Sequence, residues 1–148
     1  RPEKAQFSCI CEDLKIISEY TIQVSTPVYK LMKRAFPGPY TFILKATSEV
    51  PRRLMHPKRR TIGLRIPENQ VALDLMAELG EPIMSTTLIL PGEDEPMMDP
   101  YEIRDLLQHD VDLVIDGGYC GMEPTTVVNL SEELPEIIRE GAGSLEGL

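Results

Sequence analysis

The sequence predicts a mixed α/β fold around one twisted sheet, and three observations carry the prediction. Strand-like and helix-like segments alternate between residues 61 and 116, the pattern of a sheet with crossovers. Two short runs near the end, 126–130 and 136–139, are close enough to pair as a hairpin. No internal repeat and no long linker divides the 148 residues, so a single domain over 1–148 is expected. At 42% apolar residues the chain can bury a real core.

Phe7 to Cys11 reads as the first strand, and Glu12 and Asp13 open a helix that runs through Tyr20. Thr26-Pro27 starts a second helix: threonine caps, and proline suits the first helical position, where an N–H has no partner to lose. Val28, Leu31, Met32 and Ala35 give this helix its apolar stripe, and Phe36-Pro37-Gly38-Pro39 stops it. Thr41 to Lys45 is a strand. Pro51 opens a short helical or loop segment rich in arginine. Thr61 to Ile66 is a strand closed by Pro67. Asn69 to Leu79 is a helix with Val71, Leu75, Met76 and Leu79 on one face, ended by Gly80 as its C-cap. Ile83 to Leu90 is the next strand, turned by Pro91-Gly92. Asp99-Pro100 starts a helix to Gln108, and Val111 to Ile115 is a strand before Gly117-Gly118. The closing hairpin completes the set.

No apolar run approaches the roughly 20 residues of a membrane span. Residues 1–6 have no apolar core behind them, so no signal peptide is read. The chain opens on Arg1-Pro2 and soon turns apolar. It reads as a chain cut inside a domain, with a trimmed terminus as the alternative. The sparse, odd set Cys9, Cys11 and Cys120 points to reduced thiols and a cytoplasmic setting. Buried inert thiols account for them better than a zinc site with His109, and no metal ligands are assigned.

The net charge of −9 is unevenly placed. Between Lys30 and Arg65 lie ten basic residues and one acid, a local +9, while the remaining residues hold five bases and 23 acids, or −18. So sharp a split suits a surface that handles an anion while the rest repels it. The alternative is a solvated rim, since six of the ten lie between Arg52 and Arg65.

Five polar clusters sit beside apolar runs: Pro37-Gly38-Pro39-Tyr40-Thr41, Thr61 to Arg65, Ser85-Thr86-Thr87, Pro124-Thr125-Thr126 and Arg139-Glu140-Gly141. A sheet can pool such hydroxyls and arginines into one site; each can equally be a turn. Arg65 can present a bidentate fork to a carboxylate or phosphate, or form a surface ion pair. Hydroxyls at 85–87 inside an apolar strand either satisfy neighbouring backbone or line a cleft. Thr125 and Thr126 offer hydroxyls on a turn into a strand, where strand propensity alone also explains threonine. Arg139 closes a phosphate site or simply ends the last strand. No GxSxG, supported Cys–His pair or Walker loop is present, so no catalytic residue is assigned. An enzyme of this layout works by holding charged reactants together.

The ordered runs FPGPYTFILKATSEVPRRL, TIGLRIPENQVALDLMAELGEPIMSTT, DLVIDGGYCGMEPTTVVNL and IIREGAGS resemble the YrdC/YciO family, which includes threonylcarbamoyl-AMP synthases, and match its YciO branch best. The resemblance implies a YrdC-like α/β (α+β) fold, a twisted mixed sheet with helices around a concave, positively charged cleft. It implies a nucleotidyltransferase that combines threonine, bicarbonate and ATP, with Mg²⁺ present, into threonylcarbamoyl-AMP and pyrophosphate. That product serves tRNA threonylcarbamoyladenosine modification. The alternative implied is a non-catalytic relative that binds double-stranded RNA or tRNA, with Arg52, Arg53, Lys58, Arg59 and Arg60 in contact.

By position, Arg1, Thr61 and Arg139 match nucleotide-binding residues, and Arg65, Thr87 and Thr125 match threonine-binding ones. The chain departs from the pattern in three places. The segment before Arg1, with the family's first strands and motif lysine, is absent. Ile10 stands where the synthases have a substrate-facing histidine, and Ile89 where they have an asparagine amide. Each lost polar partner is worth about 1–3 kcal/mol of ligand binding. On this resemblance a weakened activity or a changed substrate is the expectation for the intact parent, and inactivity for the fragment.

Overall fold

The structure is a computed structural model that describes residues 7–22, 24–119, 121, 123–146 and 148. Arg1, at the nucleotide position, and Cys120 lie outside the described residues. The chain divides into two compact units, one of residues 6–86 with 125–148 and one of 1–5 with 87–124.

The larger unit holds a six-stranded mixed sheet. Its strands are β1 (Ser8–Ile10), β2 (Tyr40–Lys45), β3 (Thr61–Arg65), β4 (Ile83–Ser85), β5 (Thr126–Asn129) and β6 (Glu136–Arg139), in the order β4-β1-β3-β2-β5-β6. β1–β3 and β2–β5 are parallel; the other three pairs are antiparallel. The expected closing hairpin is present as β5–β6. Helices α1 (Leu14–Tyr20), α2 (Thr26–Ala35) and α3 (Gln70–Leu79) belong to the same unit.

Side chains alternate across each strand, and the two faces of the sheet differ sharply. One face carries Cys9, Cys11, Phe42, Leu44, Ile62, Leu64, Ile66, Val128 and Leu130, which pack with Ile17 of α1 and Leu31 and Met32 of α2 into the core. Phe42 is fully buried, with Phe36 tilted against it at 5.1 Å and Tyr40 stacked at 5.8 Å. Each such buried side chain contributes about 1.5–3 kcal/mol. Cys9 and Cys11 are buried free thiols on this face. The Cys11 thiol donates to the Cys9 carbonyl oxygen; its Cys9 partner first and burial second push it above the ordinary thiol range. The other face carries Ser8, Ile10, Thr41, Ile43, Lys45, Thr61, Gly63, Arg65, Val127 and Asn129.

Local signals set most boundaries. Asp13 caps α1 through Ile16 N–H, and Asn69 caps α3 through Ala72 N–H. Gly80 ends α3 at φ 76°, the left-handed conformation glycine adopts without penalty. The cap of α2 is Ser25, not Thr26: its hydroxyl accepts from Val28 N–H, and Pro27 sits one position further in than expected. In α3 only Met76 of the expected apolar face is buried, while Val71, Leu75 and Leu79 are exposed.

The smaller unit holds α4 (Pro100–Leu107), capped by Asp99 through Tyr101 N–H as its sequence dictates. Two expected strands fail. The run from Ile83 is a strand only to Ser85, and Thr86 to Leu90 is irregular. Val111 to Ile115 pairs with no strand, and Leu113 is 75% exposed. An apolar run becomes a strand only where it enters a ladder, and among the described residues neither 86–90 nor 111–115 does so.

Candidate anion-binding site

The antiparallel pairing of Phe42 with Leu64 sets Thr41 beside Arg65. The parallel pairing of Thr41 with Val127 then places Thr125, one residue before β5, at the same end of the sheet. Thr41 and Thr125 share a hydroxyl–hydroxyl hydrogen bond of 2.8 Å. Arg139, the last residue of β6, donates from Nε to the Thr125 carbonyl oxygen at 2.9 Å and from Nη2 to its hydroxyl at 3.1 Å. Four side chains from the ends of β3, β2, β5 and β6 therefore gather on the non-core face.

A β-bulge aims Arg139 there. Val128 pairs with Ile137, yet Val127 pairs with Arg139, so Ile138 is an extra residue. Unbroken alternation would turn Arg139 to the core face with Ile137. The bulge moves it to the face that carries Arg65.

Positive charge is concentrated at this end of the sheet. Arg65 is partly buried, and its Nε is fully buried with no hydrogen-bond acceptor among the described residues. Burial first, and nearby Arg139 second, hold the Arg65 guanidinium below its ordinary range. A guanidinium keeps its proton at neutral pH regardless. Two like charges thus share one end of the sheet beside two hydroxyls, the donor set of a carboxylate or phosphate cradle. Gly63 keeps the middle of this face shallow: a Cβ there would lie 3.3 Å from the Thr41 methyl carbon.

The sheet thus brings together Arg65, Thr125 and Arg139 from the sequence-derived set, and adds Thr41. Thr61 shares their face but begins β3 while Arg65 ends it, roughly 13 Å away at the strand rise. Thr87 belongs to the other unit, in exposed irregular chain. Arg52, Arg53, Lys58, Arg59 and Arg60 are exposed on the β2–β3 connection, where His56 Nδ1 accepts the Lys58 and Arg59 amides. Two grooves elsewhere in the larger unit lack converging cations. One of about 430 Å³ is lined by Ser18, Thr21, Ser25 and Tyr29. The other, about 290 Å³, sets Lys45 against Glu132 and Glu133. Among the described residues no three His, Cys, Asp or Glu side chains form a metal site, and no helix is long and apolar enough to cross a membrane.

Fold and geometry together give a mixed-sheet domain with two arginines and two threonines gathered at the strand ends, a candidate donor set for an anion. The Sua5/YciO/YrdC family model, described as telomere recombination, matches residues 1–141, and the chain belongs to that family. It is 57% identical over 144 residues to a protein of Haemophilus influenzae, which covers 97% of this chain and 69% of that one. The crystal structure of Escherichia coli YciO superposes with a TM-score of 0.90 at 48% identity, over 98% of this chain and 70% of that one. The threonylcarbamoyl-AMP synthase of Pyrococcus abyssi is 28% identical over 137 residues, 91% of this chain but 38% of its own length.

Proposed function

We propose that the chain is the substrate-holding part of a threonylcarbamoyl-AMP synthase-like nucleotidyltransferase. The observation that carries the reading is the Arg65–Arg139 pair, two neighbouring cations with Thr41 and Thr125 between them and an Arg65 Nε that lacks an acceptor among the described residues. Kinship to a threonylcarbamoyl-AMP synthase supplies the reaction class. In this reading Arg65 and Thr125 hold the threonine carboxylate, and Arg139 faces the phosphates. Thr61, on the same face, reaches the far end of a nucleotide. Threonine and bicarbonate condense to a carbamate with loss of water. A carbamate oxygen then attacks the α-phosphorus of ATP, and the bond to pyrophosphate breaks. The protein contributes alignment and neutralised phosphate charge, with no covalent step of its own. Mg²⁺ would arrive on the triphosphate, since the described residues offer it no carboxylate cluster.

The test is pyrophosphate release from ATP by the full-length parent. It should require both threonine and bicarbonate, and should fall at least about a hundredfold in Arg65→Ala, the loss of roughly two charge-assisted hydrogen bonds. Release that ignores either co-substrate, or that persists in the variant, defeats the reading.

One observation favours a second role. Five exposed cations cluster on the β2–β3 connection of an acidic chain, the layout of a contact for structured RNA such as tRNA. RNA affinity that is unchanged when Arg52, Arg53, Arg59 and Arg60 are neutralised removes it.

A further inference from the structure

We propose that Tyr40 and Thr126 are positioning residues for Arg139, holding the chain that leaves β6 so that its guanidinium stays beside Arg65. The inference rests on the reading of the Arg65–Arg139 pair as an anion site, and neither residue belongs to the donor set of that site.

Tyr40 and Thr126 are cross-strand partners at the start of β2 and β5. By alternation they share the core face with Phe42 and Val128, the face opposite Arg139. Thr126 has no exposed surface. Its hydroxyl accepts from Gly141 N–H at 2.9 Å and donates to the Gly143 carbonyl oxygen at 2.6 Å. The Tyr40 hydroxyl donates to the Ser144 carbonyl oxygen at 2.7 Å. Gly143 lies flat on the Tyr40 ring, where a Cβ would come within 2.5 Å of Cε1. The segment 141–144 is therefore a strap tied under the sheet end at three carbonyl or amide groups.

Consecutive threonines grip the chain from both sides. Thr125 holds the Arg139 side chain above the sheet, and Thr126 holds Gly141 below it. Only Glu140 separates the two anchored residues, so slack in the strap passes directly to Arg139. The bulge at Ile138 sharpens the need: Arg139 pairs with Val127, but the unpaired residue before it interrupts the ladder on that side. The strap fixes it from the other.

The experiment is a double-mutant cycle on the full chain, with inorganic pyrophosphate as the probe and calorimetry at low salt as the readout. Tyr40→Phe keeps the ring and its stack on Phe42 and removes only the hydroxyl. It is expected to weaken pyrophosphate binding about three- to tenfold in the wild-type background and by less than about 1.5-fold in Arg139→Ala, since coupled residues are non-additive. Gly143→Ala, which lifts the strap off the ring, should repeat the pattern, and Thr126→Ser, which keeps the hydroxyl, should bind like wild type. Equal weakening in both backgrounds, or unchanged affinity in both Tyr40→Phe and Gly143→Ala, overturns the positioning role. Identical pyrophosphate binding by wild type and Arg65→Ala instead removes the anion site itself, and the inference with it.

Discussion

Replacing Arg65 with methionine should make the unliganded protein more stable while abolishing its anion binding. Methionine preserves the length and the apolar stem of arginine, so the packing of that stem beside Ile10 and Thr41 is largely kept. What disappears is a buried Nε–H without an acceptor among the described residues and a charge that faces Arg139. An unsatisfied buried donor costs about 1–3 kcal/mol. The outer part of the side chain still meets solvent, which favours the low end, so a net gain of about 1 kcal/mol is expected. For a chain of 148 residues that is an upward shift of roughly 2–4 °C in the thermal midpoint. The assay is thermal and urea unfolding of both proteins in a buffer free of multivalent anions. The gap should narrow as salt is added, because the screening length falls from about 30 Å at 0.01 M to about 3 Å at 1 M. Pyrophosphate at a hundred times its dissociation constant should stabilise the wild type by about 2.7 kcal/mol and the variant not at all. A variant less stable than wild type by more than about 1 kcal/mol, or equal stabilisation of both proteins by pyrophosphate, refutes the reasoning.

Thr126→Val removes a buried hydroxyl that serves Gly141 and Gly143, at nearly constant volume. A loss of about 2–3 kcal/mol is expected, read as a lower urea midpoint at unchanged slope, because two backbone groups lose their partner and Gly141 retains some access to water. A loss under about 0.5 kcal/mol would mean that the strap is not tied as described. Cys9 and Cys11 titrate as a pair, Cys9 lowered by the Cys11 hydrogen bond and Cys11 raised by Cys9 and by burial, and above pH 9 the retained Cys11 proton fixes the sign of the pH dependence. The folded pKa of Cys11 lies above the unfolded value of 9, so the unfolded chain ionises first and the native state binds more protons. The stability it contributes is complete below pH 9 and declines as pH rises past that point, by up to 1.4 kcal/mol per unit. Denaturant titrations between pH 8 and about 10.5 on wild type and Cys11→Ala should differ in slope over this range; parallel profiles would contradict it.

Much of the fold is legible in the sequence because local chemistry decides it. Asp13, Asn69, Asp99 and Gly80 name their helix ends by caps that need no tertiary partner. Strands that enter the sheet interior, such as Thr61–Arg65, carry an alternation that a central position preserves. The apolar runs 86–90 and 111–115 read equally well as strands, yet among the described residues neither enters the sheet, and pairing is a property of distant chain. The site is legible in part for the same reason. Arg65, Thr125 and Arg139 stand out as polar residues at strand ends. Thr41 reads only as the end of a turn cluster and the start of a strand, since its value to the site comes from lying beside Arg65 in the sheet. The bulge at Ile138, which decides the face of Arg139, leaves no periodic mark in a run of four residues. The strap residues Tyr40 and Thr126 read as turn and strand formers, because their partners lie 104 and 17 residues away.

The alternation along Thr61–Arg65 separates two kinds of change. Ile62 and Leu64 answer to the helices beneath, while Thr61, Gly63 and Arg65 answer to whatever lands above. New molecular tastes can therefore be acquired by editing every other residue, with the scaffold left intact. Ile10, next to Arg65 and outside the helix-packed interior, is another position of this kind.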